Sequence, residues 1–323
     1  MEHQPLRVGV IGVGHLGLAH AKNYQRIPGV QLAGIHDTNA RRAEEKAREL
    51  GCRSFAHIED LLGDVQAVSV VVPTEYHHEV GMKVLDRKLH VLMEKPIART
   101  VEEADHMVRL AGEKGVVFQI GHIERYNPVV ERGSELVDHP LFIECHRLAP
   151  FKPRGTDVDV ILDLMIHDID LILKFTGSEV HSISAVGIPV ISGKIDIANA
   201  RLVFRNHAVA NITASRISRE VVRKMRIFQR NTYISLDFHR RALEVVRLIK
   251  KNGGTPHVDS QDSFFSMDRR VIEEAEPLKA ELTSFIESIR TGKRPGVTGE
   301  DGRNALLVAS RILEEIHTTS LDP

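Results

Sequence analysis

The chain has 323 residues, with 43 Lys and Arg against 44 Asp and Glu, a net charge of −1, and two cysteines, Cys52 and Cys145. That length allows two domains and a sizeable core. The balanced charge argues against a general nucleic-acid or membrane surface, and two cysteines cannot frame a disulfide scaffold. No apolar run approaches membrane-spanning length and the polar start carries no signal peptide, so the expected location is the cytoplasm.

Arg7–Ile11 reads as a short strand leading into Gly12-Val-Gly14-His15-Leu16-Gly17 and then into a helical stretch. A G-x-G-x-x-G pattern is weak alone and much stronger between a strand and a helix. Gly12 permits a tight turn, Gly14 lets a pyrophosphate approach the backbone, and Gly17 lets helix pack on strand. Phosphates would sit at the positive end of that helix. Val30–His36 is the next strand and Asp37 closes it, twenty residues after Gly17. A carboxylate there is placed to accept from the adenosine ribose and to repel a 2′-phosphate, which favours NAD over NADP. Arg41 and Arg42 could instead face such a phosphate, but a solvated first helical turn is the simpler reading of them.

Strand and helix periods continue to alternate. Ala40–Leu50 is helical, Ala67–Val72 is a buried strand, and Pro73-Thr74-Glu75-Tyr76-His77 follows at its carboxyl end. Val80–Asp86 is helical, Lys88–Met93 is a strand, Val101–Glu113 is helical and Val116–Ile120 is a strand. This spacing describes a parallel sheet covered on both faces. His77 and His78 have no thiolate pair or H-E-x-x-H beside them, so no metal site is expected. The Lys88 strand runs into Glu94-Lys95-Pro96. Ligands of open parallel sheets bind outside the carboxyl ends of the strands, which puts Lys95 at the mouth of a cofactor cleft. Taken alone, a loop lysine is usually just solvated; the rest of the chain decides.

Gly121–Pro128 reads as a domain crossing, which sets a dinucleotide-binding domain at residues 1–122 and an α+β domain at 123–323. Leu141–Leu148 is a strand, and Arg147, Lys152 and Arg154 cluster at and after its end. Three such cations could hold a pyrophosphate, or could be surface charge. Asp159–Phe175 is apolar around most of its circumference. Yet Asp159, Asp163, His167 and Asp170 fall at helical spacings and form one polar stripe. Buried charge is costly unless paired or used, so the stripe reads as a histidine base with orienting carboxylates. From Val180 to Leu248 strands follow without room for crossover helices, which describes a mainly antiparallel sheet. Arg216 lies in one of them and is a further candidate for the nucleotide. Gly253-Gly254 and Ser260–Ser266 read as loop, and Pro277–Ile289 and Glu300–Thr318 as amphipathic helices. An apolar outward sheet face would favour a homodimer or homotetramer.

Taken together, Gly12-x-Gly14-x-x-Gly17, Pro73-Thr74-x-x-His77, Glu94-Lys95-Pro96 with its strand, and Asp163-x-x-x-His167 resemble the glucose-fructose oxidoreductase, inositol dehydrogenase and rhizopine-catabolism (Gfo/Idh/MocA) family over nearly the whole length. The resemblance implies an N-terminal Rossmann domain with a doubly wound parallel sheet and an antiparallel C-terminal domain. It implies nicotinamide-dependent oxidation of a secondary alcohol of a sugar or cyclitol, with Lys95, Asp163 and His167 matching the family's catalytic lysine, aspartate and histidine. Cofactor contacts are then expected at Gly12, Gly14, His15, Leu16, Gly17, Asp37, Pro73, Thr74, His77, Glu94 and Lys95.

The stretches 121–128, 163–170 and 276–282 are similar to one branch of that family, the UDP-N-acetylglucosamine 3-dehydrogenases. That branch implies a UDP-sugar substrate, oxidation at carbon 3 and a partner aminotransferase that consumes the ketone. Substrate contacts are then expected at Lys95, Glu124, Arg125, Tyr126, Asp163 and His167, with Arg154 and Arg216 as the cations proposed for the nucleotide. Met165 departs from the family, which often has glycine there. Two other readings stand beside this one: a dehydrogenase of a free sugar or cyclitol, and a non-catalytic dinucleotide-sensing regulator. A sensor need not keep Lys95 together with Asp163 and His167.

Overall fold

The computed structural model describes residues 4–151, 158–250, 263–272 and 275–319. The chain divides into two compact units, one of Met1–Tyr126 with Glu276–Leu306 and one of Asn127–Ala275 with Leu307–Pro323.

In the first unit β1 (Leu6–Ile11), α1 (His15–Tyr24), β2 (Val30–His36), α2 (Ala40–Leu50), β3 (Arg53–Ser54) and α3 (Ile58–Asp64) are followed by β4 (Ala67–Val70), α4 (His77–Asp86), β5 (His90–Glu94), α5 (Val101–Lys114) and β6 (Phe118–Gly121). The strands lie in the order β3-β2-β1-β4-β5-β6, every neighbouring pair parallel. The order reverses beside β1, where ligands of such sheets bind. Helix ends follow local chemistry. The Asn39 side chain caps α2 and Thr100 caps α5, while Gly51 and Gly115 close them in the left-handed conformation. The strand expected from Lys88 begins at His90 and extends through Glu94, because Lys88 turns the chain with φ 57°. Glu94 therefore ends the strand, and Lys95 is the first residue beyond it.

The second unit opens with α6 (Pro128–Ser134) and β7 (Phe142–Leu148). A π-helical turn, Ile161–Met165, runs into α7 (Ile166–Thr176). Seven more strands follow: β8 (Val180–Ile188), β9 (Ile197–Phe204), β10 (Val209–Ser215), β11 (Val222–Gln229), β12 (Thr232–Asp237), β13 (Ala242–Lys250) and β14 (Ser263–Val271). The sheet order is β14-β13-β12-β11-β7-β10-β9-β8. Only β7 and β10 pair in parallel; the other neighbours are antiparallel. β14 corrects the loop expected around Ser266. It is an edge strand with Phe264, Phe265 and Met267 exposed, so it lacks the in–out alternation that reveals a half-buried strand. Gly253-Gly254 lies outside the described residues.

Helices α8 (Pro277–Thr291) and α9 (Gly299–Thr319) complete the chain. Leu282, Phe285 and Ile286 of α8 fill one core with Val8, Val10, Ala21 and Tyr24. Residues 276–306 thus belong with the N-terminal unit, which differs from a single domain over 123–323. The crossing itself falls near the expected place, after Tyr126. No helix among the described residues is long and apolar enough to cross a membrane.

On β7 the inward side chains are Ile143, Cys145 and Arg147. Arg147 makes a two-pronged ion pair with Asp168 of α7, Nε–Oδ2 at 2.9 Å and Nη2–Oδ1 at 2.8 Å, and both side chains are about as buried as the surrounding core. Arg147 is therefore neither a surface charge nor open to a pyrophosphate: the alternation of β7 turns it inward, and a buried guanidinium requires a carboxylate. Lys152 and Arg154 lie outside the described residues. Asp168→Asn leaves the Arg147 charge buried without its partner. Urea denaturation of that variant should show a loss of about 3 kcal/mol, the lower end for breaking a buried pair; an unchanged midpoint would contradict the pairing.

Candidate active site

The turn after β1 is built by close approach. Gly12 adopts φ +85°, and a Cβ there would overlap the carbonyl oxygen of Val71. A Cβ on Gly17 would overlap the carbonyl oxygen of Gly12, so the first turn of α1 sits directly on the loop. Gly14, by contrast, has nothing within 4 Å of where its Cβ would be. It precedes α1 with no side-chain cap. Tight turn, open approach and close packing are the three properties expected of these glycines, and together they leave a backbone cradle at a helix N-terminus. The cradle opens into a cavity of about 770 Å³ lined in part by His15, Leu16, Asp37, Arg42, Pro73 and Tyr76. A dinucleotide fits such a site: bare backbone for the pyrophosphate and a carboxylate at the end of β2.

Asp37 is buried and its two oxygens carry four hydrogen bonds. Oδ2 accepts from Val13 N at 2.9 Å and Arg42 Nε at 3.0 Å; Oδ1 accepts from Asn39 N at 2.8 Å and Arg42 Nη2 at 2.7 Å. Burial pushes its pKa up, but Arg42 and the two backbone amides outweigh this and hold it below the usual range. Arg42 is exposed, as its position in the first turn of α2 suggests, but its guanidinium turns back onto Asp37. Five residues after Asp37, the helix returns its guanidinium to the end of β2. Arg41 stays exposed.

Beyond β4, Pro73 lines the cavity and Thr74 opens a short 3₁₀ turn, Thr74–Tyr76. His77 is buried, with Nδ1 2.8 Å from the Pro96 carbonyl and Nε2 2.9 Å from the Val72 carbonyl. Burial pushes its pKa down, against the two carbonyls and the Glu94 charge. His77 ties the loop after β4 to the loop after β5 and so supports Lys95 rather than lining the cavity. Lys95 is half-buried and its peptide bond to Pro96 is cis. Glu94 is turned into the protein, with Oε1 3.1 Å from His20 Nε2 and Oε2 accepting from Lys95 N at 3.3 Å. Next along the chain, Glu124 is buried, Arg125 reaches Asp301 at 3.6 Å and the Tyr126 hydroxyl donates to Ser284 at 3.3 Å.

In the second unit the π-helical turn carries Asp163, and His167 follows in the first turn of α7; both are half-buried. Turns of this kind are rare and recur at functional sites. Asp159 Oδ1 accepts from Ile195 N at 2.9 Å, and Asp170 is buried. Met165, the departure from the family pattern, is fully buried. Arg216 is also buried, its guanidinium on the Val158 carbonyl and 3.9 Å from Asp196. Among the described residues no three His, Cys, Asp or Glu side chains are grouped to hold a metal ion.

Comparison with known proteins adds the lineage. Residues 6–122 match the oxidoreductase family model with an NAD-binding Rossmann fold, and residues 145–233 match the GFO/IDH/MocA C-terminal domain. The chain belongs to the GFO/IDH/MocA family. The UDP-N-acetylglucosamine 3-dehydrogenase of Acidithiobacillus ferrooxidans is 40% identical over 309 residues, 95% of this chain and 96% of that one. The solved structure of that organism's UDP-N-acetylglucosamine 3-dehydrogenase GnnA superposes with TM-score 0.89 at 38% identity, over 97% of this chain and 98% of the other. The myo-inositol 2-dehydrogenase of Thermotoga maritima is 28% identical over 341 residues, 98% of this chain and 99% of that one. A Lactobacillus casei scyllo-inositol dehydrogenase with bound NAD(H) and scyllo-inositol shares the fold, with TM-score 0.80 at 22% identity over 97% of each chain.

The first unit also buries a residue that the sequence does not single out. Glu281 of α8 is fully buried and neither carboxyl oxygen has a hydrogen-bond partner among the described residues. Burial pushes its pKa well above the ordinary 4.5, and the nearby Glu94 charge adds to the rise. A raised folded-state value stabilises the fold only below the unfolded value. That contribution is lost as pH rises from there through the folded value. Glu281→Gln removes the proton demand. Its Tm should exceed that of the wild type by about 2 °C or more at pH 8 and by little at pH 5. A gain that is equal at both pH values would contradict a neutral Glu281.

Proposed function

We propose that this chain is an NAD-dependent dehydrogenase that oxidises the carbon-3 hydroxyl of UDP-N-acetylglucosamine, working in the cytoplasm. The observation that carries this reading is the 40% identity to a UDP-N-acetylglucosamine 3-dehydrogenase over 95% of the chain. The glycine cradle and Asp37 support it by offering a dinucleotide its phosphate and ribose contacts. Bound NAD supplies the hydride acceptor. His167 takes the hydroxyl proton, since an imidazole titrates near neutral pH. Asp163 orients His167 or holds the neighbouring hydroxyl. Lys95 donates to the reacting oxygen and stabilises its developing negative charge. Arg216 and the Glu124–Tyr126 turn shape the substrate side, and an aminotransferase consumes the keto-sugar.

A second reading, a dehydrogenase of a free cyclitol, is favoured by the 28% identity to an inositol dehydrogenase over 98% of the chain. NADH absorbance with UDP-sugars, free sugars and cyclitols separates the two. Turnover of inositols alone would replace the first reading by the second. A homodimer or homotetramer through the second unit's sheet is supported by its outward face. There Phe142, Phe228 and Tyr233 form an aromatic row with centroids 5.6 and 5.1 Å apart, and Val186, Ile188, Phe265 and Met267 are exposed.

His167→Ala should lower kcat by about a hundredfold or more, the usual range for a lost general base, with the Kd for NAD unchanged. A near-normal kcat would pass the base role to Lys95. For the cofactor, Asp37 carries the preference for NAD, and Arg42 offsets part of its charge. Arg42→Ala should therefore sharpen the ratio of kcat/KM for NAD over NADP by about threefold, a small effect because half the Arg42 side chain is in solvent. Asp37→Ala should narrow the ratio. A wild type that prefers NADP, or Arg42→Ala shifting the ratio towards NADP, would reverse these roles.

A further inference from the structure

Behind Lys95 lies a chain of polar side chains in an otherwise apolar interior. Tyr24 and His20 come from the inner face of α1, Ser69 from β4 and Glu94 from the end of β5. Tyr24, His20 and Ser69 are fully buried and Glu94 nearly so. The Tyr24 hydroxyl lies 2.7 Å from Ser69 Oγ, Ser69 Oγ 3.1 Å from His20 Nδ1, and His20 Nε2 3.1 Å from Glu94 Oε1. One set of proton positions satisfies every group: Tyr24 donates to Ser69, Ser69 donates to Nδ1, and Nε2–H donates to Glu94. All the donors then point towards the carboxylate, whose second oxygen accepts from the backbone N–H of Lys95 at 3.3 Å. Burial pushes the pKa of Glu94 up, but His20 and Lys95 overcome this and keep it ionised. Room for the carboxylate is made by Gly121, its partner on β6, where a Cβ would lie 2.8 to 3.0 Å from the carboxyl atoms. Other ionisable groups that feel this charge include His77, on the loop that holds Pro96, and Glu281 of α8.

A buried polar chain of this kind gives little net stability over apolar packing, and left half-satisfied it destabilises the fold. Here it is complete, and it ends on the residue that precedes Lys95. We infer that His20 is a positioning residue: it fixes the Glu94 carboxylate, and Glu94 in turn fixes the backbone and the local charge from which the Lys95 side chain works. This inference rests on the proposed role of Lys95 in the reaction.

The test is a double-mutant cycle. His20→Leu should lower kcat about tenfold, as expected when a reacting group is slightly misplaced, with KM for the sugar and Kd for NAD changed by less than about twofold. His20→Gln keeps an N–H near the position of Nε2 and should restore kcat to within about threefold of wild type. In a Lys95→Met background, His20→Leu should slow the enzyme no further, because both changes then remove one function. Ser69→Ala makes a smaller hole and serves if His20→Leu does not fold. It should lower kcat about threefold in the wild-type background and not in Lys95→Met. Wild-type kcat in the His20 and Ser69 variants while Lys95→Met is slow would overturn this inference alone, as would equal slowing in both backgrounds. A fast Lys95→Met enzyme would remove the role of Lys95 and this inference with it.

Discussion

The first unit depends on how closely backbone can lie on backbone at the end of β1. Gly12 turns against Val71 and Gly17 sits on Gly12, with no room for a methyl group at either position. That contact seats α1 on the sheet. Seating α1 brings its N-terminal amides to the cavity and its inner face, with His20 and Tyr24, against β4 and β5. Phosphate cradle and polar interior are thus two ends of one helix held by one steric constraint. A side chain at either glycine would disturb both.

The buried carboxyl groups show a second regularity. Asp37 is surrounded by two amides and a guanidinium, Asp168 faces Arg147, and Asp196 accepts from the amides of Val190, Ile191 and Ser192 as well as the Ser192 hydroxyl. Each faces donors fixed in place before any ligand arrives. Glu281 has no such donors and takes the other solution, holding its proton. Glu94 and Glu281 feel one another's charge, and their environments push them apart, one below and one above the ordinary carboxylate range.

What was legible in the sequence was local or periodic. The glycine pattern, Asp37 at the end of its strand, the Lys95 turn, and the alternation of strand and helix each lie within a window of some twenty residues. So does the change to an antiparallel sheet after Val180. Pairings across the chain were not legible. Arg147 carries no local sign that Asp168, rather than Asp163, is its partner, because the two carboxylates lie five residues apart on different faces of one helical stretch. His20 looks like any helical histidine until β5 brings Glu94 beneath it. Arg42 gives no local sign that its exposed side chain returns its guanidinium to Asp37. β14 was missed because an exposed edge strand lacks the pattern that burial imposes; α8 was legible as a helix, but an amphipathic period does not say which core it covers.

The last of these has a consequence for synthesis. A chain leaves the ribosome from its N-terminus, and domains tend to fold as they emerge. The unit begun at Leu6 is not complete when β6 has appeared, because Leu282, Phe285 and Ile286 fill the core on Tyr24 and Ala21 only after the whole antiparallel sheet has been made. Until then the apolar surface around Ala21 and Tyr24 that these three side chains cover stays open. The cofactor-binding half of this protein is therefore one of the last parts to become a finished domain, though it is the first to be written.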